Sequence, residues 1–102
     1  MDISEFGRFS DPALLILASL AGGAKHGYAM MEDIEGMAGV RLGAGTLYGA
    51  LSRLEGAGLI EPLPSDDRRH PYRLTALGAS SLRQALDSLE RFVSLGLSRL
   101  AA

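Results

Sequence analysis

Small polar residues and one arginine share a side of a predicted helix in the middle of the chain. On a helical wheel they lie opposite Leu47, Leu51 and Leu54, and they comprise Gly45, Thr46, Gly49, Ser52 and Arg53, with Tyr48 on their flank. Short side chains would let the helix backbone enter a DNA major groove, where an arginine can pair with guanine through two hydrogen bonds. The pattern favours a DNA-reading helix. An ordinary solvated face is the alternative, although it leaves two helix-weakening glycines without a reason.

A run of charged residues follows in a turn-rich segment and reads Asp66-Asp67-Arg68-Arg69-His70. It lies between two stretches, 59–63 and 72–74, that are predicted to form the strands of a hairpin. The tip of such a hairpin would place Arg68, Arg69 and His70 beside the DNA backbone or minor groove, as a wing does. A plain charged turn is the other interpretation, because the two aspartates would offset the two arginines.

No residue pattern predicts catalysis or metal binding. The chain has no cysteine, and its two histidines, His26 and His70, are isolated in the sequence. No acid stands at a spacing that would complete a metal site with either of them. The sequence Gly43-Ala44-Gly45 lacks the rest of a dinucleotide-binding fingerprint. We therefore expect a protein that is not an enzyme and that needs neither a metal nor another cofactor.

Three helices are predicted to position these residues. The first begins at Asp11-Pro12 and runs to Gly22-Gly23, and its aliphatic residues cover most of its circumference, which predicts burial on several sides. The second spans about 26–36, with Tyr28, Met31 and Ile34 as its apolar side. The third spans about 43–55 and carries the small polar face.

A long helix is predicted from Ala76 to Leu100, behind a Thr75 cap. At 1.5 Å per residue it is roughly 37 Å long, more than a core of this size covers. One side carries an apolar stripe whose members are Leu82, Leu86, Leu89, Phe92, Val93, Leu97 and Leu100. Soluble proteins rarely expose such a stripe, and only its first turns can fold back on their own domain. We therefore expect a homodimer that forms through this helix.

The composition fits a single, mainly helical domain. The chain has 102 residues, of which 47% are hydrophobic and 6% aromatic, and it has no tryptophan. A net charge of −2 counts against DNA binding, although arginines concentrate between positions 41 and 73. The longest apolar run, 13–21, is too short to cross a bilayer, and nothing in it resembles a signal peptide. We expect a cytoplasmic protein without a membrane association.

The predicted order of elements is helix, helix, helix, hairpin and long helix. This is the plan of a winged helix-turn-helix with a C-terminal extension, and the fold class is mainly α with a small β-hairpin. We expect an N-terminal arm at 1–10, a winged helix-turn-helix DNA-binding domain at 11–75 and a dimerisation helix at 76–102.

Short motifs in a fixed order resemble the PadR family of transcriptional regulators, over roughly residues 12–80. They are His26-Gly27-Tyr28, Gly45-Thr46-Leu47-Tyr48, Ala50-Leu51, Leu54-Glu55, Gly58-Leu59-Ile60, Arg68-Arg69, Tyr72-Arg73-Leu74-Thr75 and Gly78. The chain departs from the family at Gly43-Ala44, where many members have Ser-Pro, and at Gly49, where they often have proline.

The resemblance implies a dimeric winged-helix repressor or activator whose third helix reads double-stranded DNA. It also implies an effector, a phenolic acid or another small flat hydrophobic molecule, near the dimer interface. The candidate aromatic residues for this effector are Phe6, Phe9, Tyr28 and Phe92, and each is more simply explained by packing in the core or in the N-terminal arm.

The function expected is that of a sequence-specific DNA-binding regulator, a repressor that acts as a homodimer on an inverted-repeat operator. Two alternatives remain open. One is a winged-helix protein-interaction module that has lost DNA binding, which the mild acidity favours. The other is a ligand-binding or structural dimer without nucleic acid, which would need a pocket at an apolar dimer interface.

Overall fold

The computed structural model describes residues 11–66 and 68–102, and the predicted arm at 1–10, with Phe6 and Phe9, lies outside them. The elements, in chain order, are α1 (Pro12–Ala21), α2 (Gly27–Ala38), α3 (Ala44–Gly56), β1 (Ile60–Pro62), β2 (Tyr72–Leu74) and α4 (Ala76–Ala101). The expected order of three helices, a hairpin and a long helix is therefore confirmed.

Helix α1 is the central element, as its leucine-rich sequence predicts. The Asp11 carboxylate accepts a hydrogen bond of 3.1 Å from the Ala13 amide, and Pro12 occupies the first turn, where a missing N–H costs nothing. Residues 15–17, Ser19 and Leu20 are buried. The helix packs against α2, α3, α4 and β2, so that it holds the other elements together.

Helix α2 buries a different face from the one that the sequence predicts, and it is two residues longer at its C-terminal end. Its buried residues are Gly27, Met30 and Ile34, whereas Tyr28 is 63% exposed. The prediction that Tyr28 packs in the core is therefore wrong. The buried positions are three and four residues apart, as on one helix face, and Gly27 belongs to that face because it has no side chain to accommodate. The helix continues past Gly36 and ends at Ala38, followed by Gly39 as its C-cap, whose φ of 67° is the left-handed conformation that glycine adopts readily.

The hairpin is short and antiparallel. Strands β1 and β2 pair Ile60 with Leu74, Glu61 with Arg73 and Pro62 with Tyr72. The alternation of side chains turns Ile60 into the core and leaves Glu61 and Arg73 outward, where they form an ion pair. We call β1, β2 and the segment 63–71 between them the wing.

The start of α4 is fastened to the turn that precedes β1. The Thr75 hydroxyl donates to the Gly58 carbonyl at 2.6 Å and accepts from the Gly78 amide at 3.0 Å, so one side chain both caps the helix and ties it down. At Gly78 the helix lies so close to this turn that a Cβ would come within 1.9 Å of the Leu59 carbonyl oxygen. Only glycine fits there.

One apolar core joins the helices and the wing. It contains leucines, isoleucines and Met30 from α1, α2, α3 and β1, and from α4 only Leu82. Beyond Leu89, every residue of α4 is exposed. Among residues 11–66 and 68–102, no helix is both long and apolar enough to cross a membrane.

Candidate nucleic-acid interface

Helix α3 presents the predicted small polar face to solvent. Leu47, Ala50, Leu51 and Leu54 are buried, as expected. On the opposite side Gly49 is half-buried and the other five positions are exposed, and we call this set the reading face: Gly45, Thr46, Tyr48, Gly49, Ser52 and Arg53. The amphipathic pattern therefore places the set on one accessible surface, but whether that surface reads DNA is a separate question.

Arg53 lies along the reading face with an unengaged guanidinium. A Cβ at Gly49 would be 3.7 Å from its Nη1 atom, so the arginine folds back over the glycine one turn earlier. It forms no ion pair with any residue in the described part of the chain. A guanidinium that is not neutralised by the protein retains its donors for an external acceptor.

The wing brings two further arginines and a histidine to the same side of the molecule. Arg68, Arg69 and His70 are all exposed at its tip, while Asp67 lies outside the described residues. Arg68 forms no ion pair with a described residue. By contrast Arg41 pairs with Glu35, and Arg73 pairs with Glu61, so these two arginines are partly neutralised within the protein. Of the arginines between positions 41 and 73, those at Arg53 and the wing tip are therefore the main source of positive charge on this side of the molecule.

Lys25 connects the wing to the body of the domain. Its backbone pairs with that of Tyr72, with N···O distances of 3.2 and 3.0 Å, which extends the hairpin onto the loop between α1 and α2. Its ammonium donates to the Ser19 carbonyl and lies 3.5 Å from the Asp33 carboxylate. The wing is therefore anchored at its base, which limits how far its tip can move relative to α3.

Asp33 completes this anchor. The buried Ser19 hydroxyl donates to its carboxylate at 2.6 Å. The pKa of Asp33 is lowered chiefly by this hydrogen bond and further by the Lys25 ammonium, and together they outweigh the opposing effect of burial. Asp33 is thus held in its charged form.

A cleft of about 350 Å³ opens between the starts of α2 and α3 and the wing. We call it the three-element cleft, and it is lined by His26, Gly27, Tyr28, Met31, Ala44, Tyr48, Arg68, Arg69, His70 and Tyr72. Burial raises the pKa of Tyr72, with smaller contributions from Glu55 and Tyr48.

Sequence reasoning missed this cleft. It placed Tyr48, Arg68, Arg69 and His70 at an interface but left out His26, Tyr28 and Tyr72, which lie up to 46 positions apart. The two histidines that are isolated in the sequence border the same cleft. Within the described residues, no group of three side chains suited to a metal surrounds them or occurs elsewhere. The sequence holds one signal for this cleft, the pair Gly27-Tyr28 at a predicted helix start. The exposure of Tyr28 is seen only in the structure.

The apolar stripe of α4 is largely solvent-exposed. Leu82 is buried and Leu89 half-buried, but the others range from 43% exposed at Leu86 to 84% at Leu100. Phe92 is 73% exposed, so its predicted place in a core does not occur within this chain. Near the start of the stripe, a groove of about 390 Å³ runs between α1, β2 and α4.

Together, the three-helix core, the hairpin beside α3 and the exposed face of α3 define a winged helix-turn-helix regulator of transcription. Residues 16–84 match the transcriptional regulator PadR-like family. The chain belongs to this family, which is not one of enzymes and whose members bind DNA.

Solved structures show the same fold. A transcriptional regulator from Clostridium thermocellum superposes with a TM-score of 0.73 at 26% identity, over 82% of this chain and 84% of the other. A PadR family transcription regulator from Clostridium difficile R20291 superposes with a TM-score of 0.73 at 25% identity, over 89% of this chain and 98% of the other. The complex structure hsRosR-S1, of RosR from H. salinarum, superposes with a TM-score of 0.71 at 28% identity, over 90% of this chain and 81% of the other.

A curated relative is an uncharacterized 37.1 kDa protein in transposon TN4556 of Streptomyces fradiae. It is 44% identical over 84 residues, which are 82% of this chain. The match spans only 24% of the relative's length, so the likeness concerns this region and not the whole of that protein.

Proposed function

We propose that this protein is a sequence-specific DNA-binding repressor that acts as a homodimer on an inverted-repeat operator. In this proposal α3 enters the major groove with the reading face toward the bases, and Arg53 contacts a base edge. The wing lies along the backbone beside it, with Arg68, Arg69 and His70 near phosphates.

The observation that carries this proposal is the combination of steric and electrostatic features on one surface. The middle of the reading face has two glycines, a threonine and a serine, and the large Tyr48 ring lies at its flank, so the backbone of α3 can come close to the floor of a groove. Arg53 and Arg68 are exposed and have no carboxylate partner among the described residues. A merely solvated face would not need both features in the same place.

The proposal of a homodimer rests on the exposed part of α4. A helix of 26 residues is roughly 39 Å long, and against the described residues 11–66 and 68–102 every position of it beyond Leu89 is exposed. A two-fold partner would cover the stripe with the equivalent stripe, as a self-complementary interface requires. The groove between α1, β2 and α4 continues the same apolar surface and would receive part of the partner's α4.

The functional division of the chain follows from these roles. We assign DNA binding to residues 11–75 and dimerisation to residues 76–102, and we keep 1–10 as an N-terminal arm. The stripe from Leu82 to Leu100 would form the interface.

A regulator of this kind would act in the cytoplasm, where it meets DNA. A flat hydrophobic effector at the dimer interface stays a prediction that rests on the resemblance.

The alternative is a protein-interaction module that keeps the fold and has lost DNA binding. The net charge of −2 favours it, because DNA-binding domains usually gain affinity from a basic surface. The two functions differ in their response to salt. Binding to phosphates releases counterions and weakens steeply as salt rises, whereas a protein-interaction module has no affinity for duplex DNA to lose.

The test is a fluorescence-anisotropy titration of the full chain on a random-sequence 30-base-pair duplex at several salt concentrations. We expect measurable binding with a negative slope of log affinity against log salt. The double variant Arg68→Ala with Arg69→Ala should bind more weakly and give a shallower slope, since about 0.9 is lost from the slope for each phosphate contact removed.

The double variant Arg91→Ala with Arg99→Ala is the matched control, because it removes the same two charges from exposed positions of α4 far from the wing along the helix. An unchanged slope in the double variant would remove the wing from the interface. No binding by the unmodified protein at low salt would favour the interaction module.

A further inference from the structure

We infer that the three-element cleft seats one phosphate of the DNA backbone, and that Gly27 positions Tyr48 for this contact. The inference rests on the proposed DNA binding and adds three residues to it, His26, Gly27 and Tyr28. The starts of α2 and α3 and the wing would then contact the same backbone segment from different sides.

The side chains around the cleft suit an anion. Arg68 supplies a guanidinium, while Tyr28 and Tyr48 supply hydroxyls that make no hydrogen bond within the described part of the chain. None of the described lining residues is acidic. A phosphate accepts hydrogen bonds on several oxygens, and it binds most strongly where charged and neutral donors converge from different directions.

The helix starts at the cleft add to this character. Helices α2 and α3 both begin there, at Gly27 and Ala44, and neither N-cap residue makes a side-chain capping bond. In α1 and α4, which lie outside the cleft, Asp11 and Thr75 cap the first turn. The amides at the cleft are therefore left without the acceptor that a capping side chain would give them. They reinforce a site that the side chains from three elements already define.

The size of the cleft favours a backbone segment over an isolated anion. Its volume of about 350 Å³ exceeds the needs of a single phosphate and leaves room for the adjoining sugars. Tyr28 and Tyr48 are 63% and 52% exposed, so their rings can lie against such sugars while their hydroxyls reach the phosphate. Because the cleft borders the reading face, the phosphate would belong to the duplex that α3 reads.

Gly27 determines where the Tyr48 ring lies. A Cβ at position 27 would be 2.9 Å from the Tyr48 hydroxyl oxygen and 3.1 Å from Cζ. An alanine there would push the ring away from the start of α2. The ring is exposed and can move. The same Cβ would lie 3.2 Å from Cδ2 of the buried Leu47, so we also expect a modest loss of stability, which denaturant unfolding of Gly27→Ala measures separately from DNA binding.

The test combines protein variants with neutral backbone linkages in DNA. The full chain is titrated with a duplex recovered by selection from a random pool, and with copies that carry a single methylphosphonate at each position in turn. In each half-site we expect one linkage, in addition to any that the rest of the wing contacts, at which neutralisation weakens binding about tenfold through loss of the contacts in the cleft. Tyr28→Phe and Tyr48→Phe should each weaken binding to the unmodified duplex by about 2- to 10-fold, which is the loss of one net hydrogen bond.

The coupling between protein and DNA changes is the decisive readout. In Gly27→Ala and Tyr48→Phe, methylphosphonate at that linkage should cost much less than it costs the unmodified protein. Gly36→Ala is the matched control, since Gly36 lies in the same helix with open space around it, and it should keep the full sensitivity. Specific DNA binding without any such coupling would overturn the inference and leave the proposed function intact.

A second arm separates a DNA phosphate from a free phosphorylated molecule. Inorganic phosphate and adenosine monophosphate are added to the protein alone while amide resonances of residues 26–28 and 44–48 are followed by NMR. We expect shifts only at high millimolar concentration. Saturation at micromolar concentration would overturn the assignment to DNA in favour of a free phosphate ligand, and failure to recover any duplex would count against the proposed function itself.

Discussion

At the scale of single residues, Arg53 is where the sequence and the structure agree most directly. The helical wheel predicts an exposed arginine among small residues, and Arg53 is exposed beside Gly49. Its partner in DNA stays a prediction, because a base edge and a phosphate are both acceptors that a guanidinium can reach.

Arg53→Ala distinguishes these two partners. If Arg53 reads a base, we expect a loss of about 1 to 3 kcal/mol in binding to the selected duplex and a relaxed preference at one base pair. A uniform loss on all sequences would make Arg53 a phosphate contact instead. Affinity equal to that of Arg91→Ala would exclude Arg53 from the interface. Anisotropy titration of a set of single-base-pair variants of the duplex measures both effects.

Ser19 shows how a buried polar residue supports the interface from a distance. Its hydroxyl donates to Asp33, and Lys25 joins the two to the base of the wing. Because the pKa of Asp33 is lowered in the folded protein, its contribution to stability is present above its unfolded value of about 3.9 and is lost as the pH falls through the folded value.

Ser19→Ala should therefore raise the pKa of Asp33 and lower the free energy of unfolding at pH 7 by about 1 kcal/mol. Denaturant unfolding between pH 7 and pH 2 should show a weaker pH dependence below pH 4 than in the unmodified protein. Ser80→Ala, an exposed serine in α4, serves as the control and should leave both quantities unchanged. An identical pH dependence in Ser19→Ala would show that the hydrogen bond does not hold the Asp33 charge.

At the scale of elements, the sequence predicts the helices well because their caps and periodicities are local. The helices α1, α3 and α4 are predicted to within a residue or two. The signals are the caps Asp11 and Thr75 and the leucines that recur every three or four residues. The rotation of α2 was not predictable in this way. Tyr28, Met31 and Ile34 form a stripe as regular as the one that is buried, and only the close approach of Gly27 to Leu47 and Tyr48 decides between them.

The three-element cleft could not be predicted for a related reason. Its residues come from three elements, and a helical wheel or a strand alternation reports on one element at a time. The pairing of Lys25 with Tyr72 brings the first loop to the base of the wing and so helps to form the cleft. Such long-range contacts leave no periodic signal in a single sequence.

The junction between the wing and α4 depends on a glycine at position 78. Gly78→Ala would place a Cβ 1.9 Å from the Leu59 carbonyl oxygen, and a backbone atom cannot move aside without displacing the turn. We expect destabilisation of about 3 kcal/mol, at the upper end of what overpacking costs. Thermal and denaturant unfolding measure it. Gly36→Ala, in open space within α2, should instead be neutral or slightly stabilising. Equal stability of the two variants would contradict the tight contact.

At the scale of the whole molecule, the exposed half of α4 is the feature that the chain alone does not explain. The combined change Leu89→Asp with Val93→Asp places two charges in the stripe, and we expect it to give monomers that bind the operator much more weakly. The helix itself should persist, because Val93 is exposed and Leu89 only half-buried against the described part of the chain. Light scattering and circular dichroism measure mass and helicity.

The control for this change is Ser88→Asp with Ser94→Asp, which adds the same charges to the same turns away from the stripe. It should stay dimeric. A mass of one chain for the unmodified protein at micromolar concentration would contradict the proposed dimer, and a stripe variant that remains dimeric would place the interface elsewhere.

The central claim is that two copies of α3 read an inverted repeat. Selection of bound duplexes from a random DNA pool with the purified full chain tests it most directly, because it reports binding, sequence preference and symmetry together. We predict enrichment of two inverted half-sites whose centres lie one helical turn apart, about 34 to 36 Å, as a two-fold dimer requires. Enrichment of a single unrepeated half-site, or of no sequence at all at low salt, would contradict it.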